Sequence, residues 1–196
     1  MLGQKILKDI KKLYPLNRSL TGNGNRKTLE LLKKNTNNLK ILEFKSGTKI
    51  FDWIIPPEWN IKNAWISYNK KRIIDFKDSN LSVVSYSTPV NKMINFTELE
   101  GHLHYLKDNP NAIPYVTSYY KERWGFCLKY NQFKKLKKEK KEKKFHVYID
   151  SNLNKKGSMS IGEVIIKGII DKEIILSTNI CHPSMVSNEL VAPVIL

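Results

Sequence analysis

Cysteine is scarce in this 196-residue chain: Cys127 and Cys181 are the only two, and their spacing fits neither a disulfide framework nor a zinc ribbon. Arginine is scarcer than the charge implies. Net charge is +16, yet only Arg18, Arg26, Arg72 and Arg123 are arginines and the remaining basic residues are lysines. Lysine is a mobile, strongly hydrated point charge, whereas readers of phosphates and base edges favour arginine forks. The charge therefore predicts solubility and salt-dependent adhesion to anions, and no specific nucleic-acid partner. No window approaches the roughly 18 apolar residues that span a bilayer. The opening residues, Met1 to Lys5, lead into an amphipathic stretch and not into an apolar leader. A cytoplasmic protein without membrane contact is expected.

Patterning supplies the elements. Ile6, Ile10 and Leu13 share a helical face, predicting a helix over 4–14 that Tyr14-Pro15 ends. Asn25 is placed to cap a second helix over 26–34, with Leu29, Leu31 and Leu32 inward. A strand follows at 39–45. From residue 47 the texture becomes aromatic and β-prone, with Pro56-Pro57 breaking an edge strand. Asn69-Lys70 joins a hairpin of 64–68 and 71–76. Further strands are expected at 81–86, 113–120 and 124–129, with a helix from Phe96 to about Leu106. The lysine run 134–144 reads as a solvated helix and connector. Apolar runs at 145–151, 159–168 and 173–180 read as core strands, with Val147, Ile149, Ile161, Val164, Ile166, Ile174 and Leu176 inward. The expected architecture is an α/β body, residues 1–46 and 131–196, interrupted by a β-rich module at 47–130.

The chemistry concentrates in the last twenty-five residues. The apolar run Glu173–Ile180 breaks into Cys181-His182-Pro183-Ser184, then Asn188-Glu189. A histidine just past such a strand sits where open α/β sheets place their crevice. A neutral imidazole there suits zinc, and hydrolytic zinc sites need about three protein ligands plus an open water position. Glu189 could return to the same crevice. The alternative is that His182 merely hydrogen-bonds in a loop, and spacing leaves both open. A thiol nucleophile at Cys181 is disfavoured, because neighbours on an extended strand point to opposite faces.

Other constellations carry weaker signals. Arg18, Ser19 and Thr21 beside Gly22 and Gly24 form either an anion-binding turn or a helix-linking turn, and turn chemistry favours the second. Arg123 either grips a carboxylate, stacks on Trp124 or pairs with Glu122. Trp53, Trp59, Trp65 and Trp124, with Tyr119 and Tyr120, form a stacking platform or, more in keeping with the area each buries, core. His102 and His104, two apart on a predicted helix, make a poor metal pair. The lysine run lacks the interleaved aromatics of single-strand binders.

Cys181-His182-Pro183-Ser184-Met185 with Asn188-Glu189-Leu190 and Pro193 resembles a segment of a bacterial aminopeptidase-like family. Upstream matches are Arg18-Ser19-Leu20-Thr21-Gly22, Phe51-Asp52-Trp53 through Trp59, Val84-Ser85-Tyr86-Ser87, Ala112-Ile113-Pro114-Tyr115 and Arg123-Trp124-Gly125-Phe126-Cys127. The family is related to the di-zinc aminopeptidases and is often encoded among polysaccharide-biosynthesis genes. The resemblance implies a zinc-dependent hydrolase of peptide or amide bonds, with a peptide or amino-acid-like small substrate and two zinc ions in the full-length protein. His182 matches a metal-binding histidine. Asn188 stands where the relatives carry a bridging aspartate, and a neutral amide is a poor bridge between cations. Glu189, one step later, is the substitute ligand, so the expected metal set is His182 and Glu189. Val191-Ala192 replaces a Ser-Gly pair. The remaining ligands and the general base are expected beyond Leu196, so this chain is expected to be an inactive N-terminal part that lacks most of the site, and no catalytic residue is assigned in it. The departure at Asn188-Glu189 also motivates an alternative: a non-catalytic binding or scaffold protein for glycan assembly.

Overall fold

The computed structural model describes residues 2–140 and 143–196, the side chains of residues 139 and 140 apart, as mixed α/β structure with small sheets. Two compact units result, residues 1–58 with 154–196 and residues 59–153. The boundaries expected at 47 and 130 differ from these. The change in composition at residue 47 does not coincide with the division after Glu58.

In the first unit, α1 (Leu2–Leu13) buries Ile10 and Leu13 and ends on Lys11 and Lys12, whose charges complement the helix dipole. Helix α2 (Asn23–Lys33) starts two residues before the expected cap. Gly22, at φ 103°, takes the cap position, and Asn25 lies inside the first turn. Gly24 is required by close approach: a Cβ there would collide with the Asn17 carbonyl, so the chain at Asn17-Arg18 crosses the helix start only over a glycine. After β1 (Lys40–Lys45), the short strands β2 (Lys49–Ile50) and β3 (Trp53–Ile54) form a hairpin with Phe51 at its tip.

The second unit is built on a four-stranded sheet of order β5-β4-β9-β6. Its strands are β4 (Glu58–Tyr68), β5 (Lys71–Asp75), β6 (Val90–Asn95) and β9 (Lys144–Asn154). The hairpin at Asn69-Lys70 forms as expected, with φ of 47° and 61°, the left-handed pair that matches the twist of its strands. β6 and β9 pair antiparallel from Val90↔Ile149 to Asn95↔Lys144. Ile66, Ile74, Ile94, Phe145, Val147 and Ile149 form the buried face.

Helix α3 (Phe96–Glu100) is capped by Asn95, which accepts from the Glu98 amide at 2.8 Å. It ends at Gly101, well short of Leu106. Leu103–His104 (β7) instead pairs in parallel with Phe126–Cys127 (β8). The strands expected at 81–86 and 113–120 reduce to isolated bridges, Val83↔Phe126 and Ser85↔Thr117. Helix α4 (Tyr130–Lys140) carries the lysine run, but it is amphipathic and not wholly solvated. Phe133 and Leu136, three apart, are buried, and Tyr105 stacks on Phe133 at 4.1 Å. Lys134, Lys135, Lys137 and Lys138 face outward, while residues 141 and 142 of the run lie outside the described residues.

The chain then returns to the first unit. β10 (Ser158–Glu163) pairs antiparallel with β1, from Lys40↔Glu163 to Lys45↔Ser158. Arg26 fastens this region, donating to Glu58 Oε2 at 2.7 Å, to Ser158 Oγ at 2.9 Å and to Glu43 at 3.3 Å. The strand ends at Glu163, five residues early, and 173–180 is not a strand. Ile166, Ile174 and Leu176, expected in the core, are 89, 91 and 73% exposed. The physical reason is pairing: an apolar run becomes a strand only beside an edge that satisfies its backbone, and among the described residues no strand pairs with 164–180. A π-helical turn (Ser187–Val191) and α5 (Ala192–Ile195) follow, with Leu190 packed on Ile10 and Leu13. No helix among the described residues is long and apolar enough to cross a membrane.

Candidate metal centre

Because 173–180 is not a strand, His182 does not sit at a sheet rim. It lies in an irregular turn ahead of the π-helix, and Ser184 two residues on has φ 59°. The π-helix closes its hydrogen bonds over a span one residue longer than an α-helix, an irregularity found often at functional sites. Here it lets two successive residues point inward. Leu190 joins the α1 cluster, and Glu189, 2% exposed, turns to the Cys181-His182 segment.

Glu189 is engaged at both oxygens. Oε2 accepts from the Cys181 amide at 2.5 Å and from the His182 amide at 3.2 Å, and Oε1 meets His182 Nδ1 at 2.5 Å. The two residues singled out from spacing are thus brought together. Cys181 is a correction. Its Sγ lies 3.4 Å from His182 Nδ1 and 3.9 Å from Glu189 Oε1, so the adjacent side chains converge instead of opposing. The alternation argument fails because the segment is a turn. Burial, then the Glu189 charge, push the Cys181 thiol up to about 11, which leaves it protonated at neutral pH and a poor nucleophile. Cys181, His182 and Glu189 are the one group of three potential metal donors among the described residues, all within 4.8 Å of one another.

Arg18 supports this group. It is fully buried and donates through Nε to the His182 carbonyl at 3.1 Å and through a terminal nitrogen to the Leu13 carbonyl at 2.6 Å. The other terminal nitrogen is buried without a hydrogen-bond partner. Desolvation lowers its pKa to about 10, against the opposing pull of Glu189 and Cys181. The sequence placed Arg18 in a turn and not beside His182; its one signal was to be an arginine in a chain that otherwise uses lysine. The donors of the turn are engaged within the protein, Thr21 Oγ1 by the Pro57 carbonyl at 3.3 Å. The Ser19 amide donates to Asn25 Oδ1 at 3.1 Å, and Ser19 Oγ donates to the Thr21 carbonyl at 2.6 Å. Asn188 is exposed, and its Oδ1 accepts from Ser187 Oγ at 3.4 Å. A cavity of about 1040 Å³ in the same unit reaches Cys181 and is lined by Leu29, Leu31, Met159 and Ile180 among others.

The remaining candidates do not build a site. Arg123 donates to the Thr117 carbonyl at 2.7 Å, and Trp124 stacks on His102 at 3.6 Å. Trp59 is buried against Tyr86, which also meets Tyr119, and Tyr119 meets Tyr120, while Trp65 stacks on Tyr148 and Trp124 on His102, so the tryptophans are divided among separate clusters. His104 is drawn down by burial and by Arg123.

A mixed α/β protein with a buried carboxylate gripping a histidine and a cysteine is the class that fold and site define. Residues 58–152, closely the second unit, match the family model of a domain of unknown function, DUF2172. The chain is 48% identical over 189 residues to a protein of Clostridium acetobutylicum called "Putative polysaccharide biosynthesis protein with aminopeptidase-like domain", covering 96% of this chain and 42% of that protein. A crystal structure of a "putative peptidase" from Clostridium acetobutylicum matches with a TM-score of 0.87 at 48% identity, over 94% of this chain and 42% of that one. The resemblance drawn from the motifs is therefore found. The chain spans less than half the length of these relatives.

Proposed function

We propose that the chain forms part of a zinc-dependent aminopeptidase-like hydrolase linked to polysaccharide biosynthesis, with His182 and Glu189 holding a metal ion. The observation that carries this reading is the 2.5 Å approach of His182 Nδ1 to Glu189 Oε1 inside a group of three metal donors. The donor set of nitrogen, oxygen and sulfur is one that zinc accepts. Bound there, zinc would supply Lewis-acid polarisation of a peptide carbonyl and an acidified water. The chain's own residues orient and exclude. Two backbone amides fix the Glu189 carboxylate, Arg18 fixes the His182 carbonyl, and the cavity reaching Cys181, with a lining of mixed polarity, offers room for a peptide or amino-acid-like substrate. With the rest of the relatives' length outside it, the chain by itself is proposed to be inactive.

Asn188 favours a second reading, a non-catalytic scaffold for glycan assembly, because it is neutral and exposed where the resemblance places a bridging carboxylate. Calorimetric titration with zinc tests the first reading. One equivalent should bind the 196-residue chain, and His182→Ala and Glu189→Gln should each abolish it. Absence of binding in a folded chain favours the scaffold.

A further inference from the structure

We propose that Cys181 is a third protein ligand of the ion held by His182 and Glu189, making a sulfur–nitrogen–oxygen centre in which the ring binds through Nδ1. The inference rests on the metal-site reading above and adds to it a ligand, Cys181, and a ligating atom.

Three distances carry it. Cys181 Sγ to His182 Nδ1 is 3.4 Å, Sγ to Glu189 Oε1 is 3.9 Å, and Nδ1 to Oε1 is 2.5 Å. The three donor atoms lie within 4.8 Å of one another, close enough to share one ion, and zinc accepts each donor type. Cys181, His182 and Glu189 would hold the ion once Nδ1 and Oε1, now in hydrogen-bond contact, part to admit it. The geometry is not an accident of two mobile side chains. Glu189 is buried, and its other oxygen is held by the Cys181 and His182 amides, which leaves Oε1 aimed between sulfur and imidazole.

The charge balance agrees. A metal-bound thiolate and a carboxylate bring two negative charges into a half-buried group. The buried Arg18 guanidinium interacts favourably with both Glu189 and Cys181. Sulfur would also bias the site towards softer ions such as zinc over magnesium or calcium.

Cobalt(II) titration of the 196-residue chain tests the proposal, because a thiolate ligand gives a near-ultraviolet charge-transfer band and oxygen or nitrogen ligands do not. One equivalent of cobalt should produce that band. Cys181→Ser should lose it while still binding cobalt, and Cys127→Ala should keep it. Stoichiometric cobalt binding without the band overturns the cysteine ligand and leaves the His182–Glu189 site standing. Absence of cobalt and zinc binding by the folded chain overturns both. The unsubstituted chain decides between these outcomes even if Cys181→Ser fails to fold.

Discussion

Arg18 and His182, 164 positions apart, are joined by a 3.1 Å hydrogen bond from a fully buried guanidinium to a main-chain carbonyl. The bond explains how an irregular segment holds one conformation. The turn at 181–184 has no sheet ladder, so its order comes from Arg18 on one side and the Glu189 carboxylate on the other.

Arg18→Met should therefore destabilise the first unit. It removes one donor from each of the Leu13 and His182 carbonyls, at about 1.5–3 kcal/mol for each charge-assisted hydrogen bond lost, while the Leu16 amide still donates to Leu13. Urea unfolding checks this through a lower midpoint. Arg18→Lys should recover only part of the loss, since an ammonium lacks the planar fork that reaches both carbonyls.

Glu43 should make the first unit sensitive to acid. Burial works against its charge, yet hydrogen bonds from Ser158, Ser160 and Arg26 outweigh burial and hold the carboxyl below its ordinary value of 4.5. A carboxyl with a depressed folded pKa contributes stability that is present above the unfolded value and is lost as pH falls through the folded one. Unfolding midpoints compared above and below that window should fall more steeply in the parent than in Glu43→Gln.

The lysine-rich helix offers a contrast between its faces. Leu136→Ala should cost about 2–5 kcal/mol, as for other buried leucines. Lys138→Gln on the exposed face should stay within about 0.5 kcal/mol of the parent. Thermal melting of the two variants separates these outcomes.

Phe51 at the hairpin tip is 93% exposed and has φ 53°, a conformation disfavoured for a bulky side chain. Phe51→Asn should raise stability by about 1 kcal/mol, since asparagine tolerates the left-handed region and no packing is lost. Chemical denaturation should show a higher midpoint with an unchanged slope.

Local rules were legible wherever a short stretch contains its own determinants. The Asn69-Lys70 hairpin and the first helix depend on neighbours in sequence, and each forms where the pattern places it. The 39–45 strand also needed its distant partner at 158–163. His182 and Glu189 were legible as a pair because seven residues separate them and both carry donor atoms. Illegible were features that need a distant partner. Helix α4 required Tyr105 to reveal Phe133 as buried, and Cys181 required a turn in place of a strand to reveal its side chain beside His182.

The sequence by itself determined the first two helices, the Asn69-Lys70 hairpin, the lysine-borne charge and the residue types able to bind a metal. Tertiary structure alone decided that 173–180 stays unpaired, that Arg18 is buried under His182 and that three donors converge. The reason is that backbone ladders and buried charges are satisfied only by groups brought from elsewhere in the chain, and no local pattern records which groups those are.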